Sequence, residues 1–329
     1  MIATGKPTGV VCLRPKRDFE SVGVEVPDDM DVTYFANEGE LDEIGPDVRC
    51  VVLPSAGPAL APEIFRRASG LELVQYTGAG IDRVSDSVIR EVGCAVCNIP
   101  GASAPDVAAY VVVTVGLLLR KIMVGDRLVK AGRYGEARSL MSPAAVRGFR
   151  GLVVGVVGFG GIGYEVCRAF HALGARILWY DPAPAATDDK GEFERVSLEE
   201  LLRQSEVLTV HVPLMEATRG LIDAAALATL GQGAIVVNAA RGGIVDEGAL
   251  VDAVDSGHLG GVVLDVYRDE PLGTDSPLMA LAARHGERVI MTPHIAGVTP
   301  EASRVLFERA WANVHAVLVE GQAPQNRLR

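Results

Sequence analysis

No stretch of this chain stays apolar for the ~20 residues a membrane-spanning helix needs. The longest apolar run, Val107 to Leu119, is interrupted by Thr114 and Gly116 and stands between Asp106 and Arg120-Lys121, so it reads as a buried helix. The N-terminus offers only Val10-Val11-Cys12-Leu13 ahead of the charged stretch Arg14 to Asp18. That is too short for the core of a secretion signal, and a cytoplasmic location is the expectation. Cysteine is scarce: Cys12, Cys50, Cys94, Cys97 and Cys167 in 329 residues do not make a disulfide framework. Cys94-Ala95-Val96-Cys97 has the spacing of half a zinc or redox motif, but neither a second pair nor a histidine pair accompanies it. Both thiols read as packing residues, and no metal is expected. Positive charge is also short, with 31 basic against 42 acidic residues and a net charge of −11, which argues against nucleic-acid or membrane partners. Internal repeats are absent, and the one compositional oddity is a brief Pro/Ala loop at Pro182–Ala186.

What is present is an ordinary globular composition, 49% apolar and 22% charged, on a length that suggests about two domains. Short Val/Ile/Leu runs alternate with helix-length segments. The candidate strands are Val10–Leu13, Val32–Phe35, Val51–Leu53, Leu73–Tyr76 and Ala95–Asn98, then Val153–Val157, Ile177–Tyr180, Val207–His211, Ala234–Asn238, Gly261–Leu264 and Val289–Met291. Continuous runs, rather than alternation, suit parallel strands buried on both faces. Eleven such strands are too many for one ordinary doubly wound sheet, so the expectation is an α/β chain with two. Asn98-Ile99-Pro100-Gly101 closes the first set. Ser103-Ala104-Pro105-Asp106 then carries helix-start chemistry, and the apolar helix it opens, to about Arg120, is expected to be covered on most sides.

Gly158-Phe159-Gly160-Gly161-Ile162-Gly163 follows the strand Val153–Val157 and opens the helical stretch Tyr164–Leu173. That context turns a weak GxGxxG pattern into a dinucleotide-binding signature, because the glycines admit a tight turn and let backbone approach a pyrophosphate at a helix N-terminus. The next strand ends in Asp181, suited to accept from ribose hydroxyls and to repel a 2′-phosphate, with no Arg or Lys close behind it. NAD is therefore expected rather than NADP.

Four more clusters stand at strand ends: His211-Val212-Pro213-Leu214, Asn238-Ala239-Ala240-Arg241-Gly242-Gly243, Asp265-Val266 with Glu270-Pro271, and Thr292-Pro293-His294-Ile295-Ala296-Gly297. With Thr218-Arg219-Gly220-Leu221-Ile222 they occur in the order found in the D-isomer-specific 2-hydroxyacid dehydrogenases, and the chain resembles that NAD-dependent family from about Leu73 to Ala302. The resemblance implies a Rossmann NAD-binding domain, residues 102–294, inserted in a flavodoxin-like substrate domain, residues 1–101 and 295–329. The crossings would be the helices from Pro105 and from Pro300. It implies hydride transfer between NAD(H) and a small 2-hydroxy or 2-keto acid. His294 would be the general acid, Glu270 would bond its other ring nitrogen and favour the protonated ring, and Arg241 would fork onto the substrate's carboxylate or keto oxygen. The implied cofactor contacts are Gly158, Gly160, Gly161, Ile162, Gly163, Asp181, His211, Val212, Pro213, Thr218, Ala239, Ala240, Arg241, Asp265, His294 and Gly297, with Asp265 near the nicotinamide. Tyr76-Thr77-Gly78-Ala79-Gly80-Ile81-Asp82 resembles the family loop whose N–H groups receive the substrate carboxylate, which implicates Thr77, Gly78, Ala79 and Gly80.

The chain also departs from the family pattern. Ala109 stands where members commonly carry Glu, Ser85 where the loop often has a second Asp, and Pro54 where phosphoglycerate-type relatives tend to present Arg. With no other obvious cation in the Pro54 loop, an unphosphorylated substrate such as glyoxylate or hydroxypyruvate is expected. Residues Tyr134–Phe149 match weakly; in the family this region often builds the contact of a homodimer. The competing expectations are a phosphoglycerate dehydrogenase-like or formate- or phosphite-type enzyme, and a non-catalytic NAD-sensing interaction protein.

Overall fold

The apolar runs do form parallel strands. The computed structural model describes residues 9–35, 38–142, 146–183 and 193–328. Residues 184–186 of the Pro/Ala loop and 143–145 of the weakly matching stretch lie outside them. The chain divides into two units, Met1–Ser103 with Val298–Arg329, and Ala104–Gly297.

In the first unit, strands β1 (Val10–Cys12), β2 (Val32–Tyr34), β3 (Cys50–Leu53), β4 (Leu73–Tyr76) and β5 (Ala95–Cys97) pair in the order β2-β1-β3-β4-β5, all parallel. This is the flavodoxin-like order. Successive side chains point to opposite faces. Val11, Val51, Leu53, Val74 and Val96 join Ile64 and Phe65 in one apolar layer, while Val10, Cys12, Cys50, Val52 and Leu73 join another. The second layer is completed by the helix Pro300–Leu318, which places Phe307, Trp311 and Val314 against it. The Phe307 ring meets Phe19 edge-on at 4.7 Å, and burying a side chain such as Phe307 is worth about 1.5–3 kcal/mol. All five cysteines are unpaired and buried. Burial pushes the Cys94 and Cys97 thiols upward, so both stay protonated packing groups.

In the second unit, β6 (Val153–Val157), β7 (Arg176–Tyr180), β8 (Glu194–Arg195), β9 (Val207–Val210), β10 (Ala234–Asn238), β11 (Leu259–Leu264) and β12 (Val289–Met291) pair in the order β12-β11-β10-β9-β6-β7-β8, again all parallel. The strand order reverses between β6 and β9, the switch point outside which open α/β sheets bind ligands. Helices Ala104–Leu119 and Gly161–Ala172 cover one face through Val107, Val111, Val115, Val166 and Phe170. Leu201, Leu227, Leu250 and Leu278 from four shorter helices cover the other.

Two details differ from the sequence expectations. Strand β8 is two exposed residues whose pairing with β7 leaves no apolar signature. Strand β11 starts at Leu259, two residues before the expected Gly261; Gly260 interrupts the apolar run there, and a Cβ on it would run into the Gly233 carbonyl. The helix Ala104–Leu119 buries Val107, Val111 and Val115 and leaves Val113 60% exposed, in keeping with a helix covered on most sides. Among the described residues no single helix is long and apolar enough to cross a membrane, and no group of three His, Cys, Asp or Glu is placed to hold a metal ion.

Candidate active site

The carboxyl end of β6 is shaped for close backbone approach. Gly158 has φ +97°, and a Cβ there would sit 2.7 Å from the His211 backbone at the end of β9. A Cβ on Gly163 would strike the Gly158 carbonyl. Gly160 differs: its Cβ position is open, and it caps the helix Gly161–Ala172. Two glycines thus permit the fold of the turn, while the third leaves the helix N-terminus uncovered, as a dinucleotide pyrophosphate requires. Gly161 begins that helix and Ile162 packs half-buried against its core. Phe159 stacks on Trp179 at 4.0 Å between centroids and anchors the turn from below.

Asp181 ends β7 beside this turn, with Oδ2 accepting from Phe159 N–H at 2.7 Å and Oδ1 from Ala183 N–H at 2.8 Å. Each oxygen keeps a lone pair for a hydroxyl donor. His211 shares a 2.8 Å bond with Thr209 through Nε2, while its buried Nδ1 has no partner. Burial lowers its pKa to about 3, so the ring is neutral. Val212 is buried and Pro213 exposed. Thr218 is wholly buried, and its hydroxyl donates to Pro213 O at 2.6 Å and accepts from Met215 N–H at 2.8 Å. The Thr218 hydroxyl thereby holds the 213–218 turn. The site thus fits a nicotinamide dinucleotide through backbone, Asp181 and the open face at Gly160.

A second group forms where β10, β11 and β12 end. Asn238 closes a tight turn, donating to Arg241 O at 2.9 Å and accepting from Ala240 N–H at 3.2 Å. Ala239 and Ala240 are half-buried in that turn, and the Arg241 Nη1 donates to Ala240 O at 2.7 Å. Gly242 lies so close to the Tyr267 and Arg268 backbone that any side chain would collide with it, which brings the Arg241 turn against the segment carrying Glu270.

Glu270 Oε2 lies 2.9 Å from His294 Nδ1, and Oε1 accepts from Tyr267 N–H at 3.1 Å. Burial opposes ionisation of Glu270, but His294, the Tyr267 amide and Arg241 outweigh it and hold the carboxyl below its ordinary value. His294 adopts φ +57°, a left-handed backbone unusual for a residue with a Cβ. Asp265, which is 1% exposed, pins that turn: it accepts from Ile295 N–H and Thr292 Oγ1 on Oδ1 and from Ala296 N–H on Oδ2, while His294 N–H donates to its carbonyl at 2.8 Å. One lone pair remains on Oδ2. Gly297 closes the unit, half-buried. Sequence reasoning placed Thr292 in the strand-end run but gave it no role, and it gave none to Tyr267, whose hydroxyl donates to Thr292 O at 2.9 Å.

The glycine loop of the first unit follows β4. Its carbonyls are tied back: Ile99 N–H donates to Gly78 O at 2.9 Å and Asn98 Nδ2 to Ala79 O at 2.6 Å. Thr77 is buried with its N–H spent on Leu53 O. The N–H groups of Gly78, Ala79 and Gly80 have no acceptor among the described residues. The nearby 54–58 loop is not without a cation. Arg83 is buried beneath it, its Nε donating to Pro58 O at 3.0 Å and Nη1 to Pro54 O at 3.4 Å. The guanidinium reaches the loop from the following turn, which inspection of the loop's own residues misses.

A nucleotide-shaped turn at the switch point, a carboxylate-oriented histidine and an arginine at neighbouring strand ends define a dinucleotide-dependent oxidoreductase. The family model for the NAD-binding domain of D-isomer-specific 2-hydroxyacid dehydrogenases matches residues 113–296. The (S)-sulfolactate dehydrogenase of Chromohalobacter salexigens is 35% identical over 289 residues, covering 87% of this chain and 89% of that protein. The hydroxypyruvate reductase of Thermotoga maritima is 37% identical over 268 residues, covering 80% and 83%. The structure of an NAD-dependent formate dehydrogenase from Staphylococcus aureus in complex with NAD is similar with a TM-score of 0.81 at 26% identity, covering 96% of this chain and 97% of that one. The chain belongs to the D-isomer-specific 2-hydroxyacid dehydrogenase family. It is an NAD-dependent oxidoreductase acting on the CH–OH group of small 2-hydroxy acids.

Proposed function

We propose that the protein reduces a small unphosphorylated 2-keto acid, glyoxylate or hydroxypyruvate, to the D-2-hydroxy acid, with His294, Glu270 and Arg241 as its catalytic set. The observation that carries the reading is the 2.9 Å bond from His294 Nδ1 to a Glu270 carboxylate fixed on its other oxygen. That bond places a proton on Nδ1 and leaves Nε2 to deliver the second proton to the keto oxygen. NADH supplies the hydride. Arg241 forks onto the substrate carboxylate or keto oxygen. The unspent amides of Gly78, Ala79 and Gly80 receive the carboxylate, the Gly78 and Ala79 carbonyls being held away by Ile99 and Asn98. The similar hydroxypyruvate reductase supports the substrate class.

Domain roles follow the same reading, with residues 1–101 and 295–329 binding substrate and 102–294 binding NAD. The protein is a homodimer built on the helices Ile122–Lys130 and Tyr134–Leu140, which leave Ile122, Val129, Tyr134 and Leu140 exposed. Unpaired cysteines suit a reducing, cytoplasmic compartment, and the net charge of −11 disfavours nucleic acid and acidic membranes.

The test is NADH consumption by the purified protein across glyoxylate, hydroxypyruvate, pyruvate, phenylpyruvate and phosphohydroxypyruvate, repeated with NADPH. Turnover of glyoxylate or hydroxypyruvate with NADH is expected. Preference for phosphohydroxypyruvate would overturn the substrate assignment, and tight NADH binding with no turnover would favour a sensor.

A further inference from the structure

The roles above leave unused a chain of hydroxyl groups behind the His294 turn. Tyr110 Oη lies 2.6 Å from Thr292 Oγ1, and Thr292 Oγ1 lies 2.5 Å from Asp265 Oδ1. A carboxylate only accepts, so Thr292 commits its one proton to Asp265 and must itself accept from Tyr110. The proton order is therefore fixed, from tyrosine to threonine to carboxylate. Burial pushes the Tyr110 hydroxyl up to about 12, so it remains a donor through the physiological range. At the end of the chain, Asp265 grips the backbone on the far side of His294 at two amides, each at 2.8 Å. His294 itself holds a left-handed backbone, which a residue with a Cβ adopts at a cost and keeps only where neighbours enforce it. The Tyr110–Thr292 bond also joins the first helix of the second unit to the last turn before the chain leaves it.

We propose that Tyr110 and Thr292 are positioning residues for the reaction, orienting the Asp265 carboxylate that holds the His294 turn. Both act through Asp265 on where the His294 ring points. Without the tyrosine proton, the threonine hydroxyl is free to rotate and the clamp loosens. The inference rests on His294 as the proton-transferring group, a reading that wild-type turnover tests by itself. The variants below test only the positioning.

Tyr110→Phe removes one oxygen and keeps the ring. Because small misplacements of a catalytic group are costly in rate, kcat for the keto acid should fall about tenfold, with KM, the NADH Kd and Tm within about twofold or unchanged. Thr292→Val should fall further, whereas Thr292→Ser, which keeps the hydroxyl, should retain kcat within about twofold of wild type. Since Tyr110 acts only through Thr292, Tyr110→Phe combined with Thr292→Val should be no slower than Thr292→Val alone. Wild-type kcat in Tyr110→Phe, or a Thr292→Ser enzyme as slow as Thr292→Val, would overturn the proposal. So would a Tyr110→Phe loss that multiplies in full with that of Thr292→Val. If Thr292→Val does not fold, Tyr110→Phe and Thr292→Ser still decide it.

Discussion

The strand ends of the two units offer different chemistry. In the second unit they present ionisable side chains, Asp181, Arg241, Asp265, Glu270 and His294, each steadied by a neighbour's backbone or carboxylate. In the first, the loop after β4 presents bare amides, with two of its carbonyls held back by the Ile99 backbone and the Asn98 side chain. A function carried by a side chain is removed by truncating it with the fold intact. A function carried by backbone yields only to added bulk.

The largest effect should come from the second unit. His294→Ala removes the proposed proton donor and is expected to lower kcat by about 100- to 10,000-fold while the NADH Kd, read by fluorescence, stays near wild type; loss of NADH binding instead would make His294 structural. Next, Gly78→Ala puts a Cβ 2.5 Å from the Ser55 Oγ and shifts the amide row. KM for the keto acid should rise about 10- to 100-fold with kcat largely kept, the loss of charge-assisted hydrogen bonds. Asp181→Ala should narrow the preference for NADH over NADPH by about tenfold, since it removes a charge that repels the 2′-phosphate; an unchanged ratio of kcat/KM values would discount that carboxylate. The smallest effect is on stability. Glu270 is held below its ordinary carboxyl value of 4.5 in the folded protein. Its ionised form therefore adds stability that is fully present above that value and fades as pH falls through the folded one. The Tm difference between wild type and Glu270→Gln should accordingly be widest near neutral pH and shrink in acid, and a difference that grows in acid would contradict the sign.

Much of this organisation was legible in the sequence because its signals are local. Val153–Val157 followed by Gly158 to Gly163 carries strand, turn and helix start in one contiguous run, and buried parallel strands write themselves as apolar runs. The strand-end positions of Arg241, Glu270 and His294 could be read the same way. What stayed hidden depends on partners distant in the chain. Thr292 and Tyr110 are ordinary residues until the fold brings them together, and Arg83 braces the 54–58 loop from outside its sequence. The carbonyl ties from Asn98 and Ile99 come from the neighbouring strand's end. Strand β8 was missed because two exposed residues bury nothing.

The division between side-chain chemistry and backbone grip is tested most directly by measuring kcat and KM for glyoxylate, at saturating NADH, in wild type, His294→Ala and Gly78→Ala together. The prediction is that His294→Ala loses kcat and keeps KM, while Gly78→Ala loses KM and keeps kcat. If both variants lose the same parameter, the two units do not divide the work in this way.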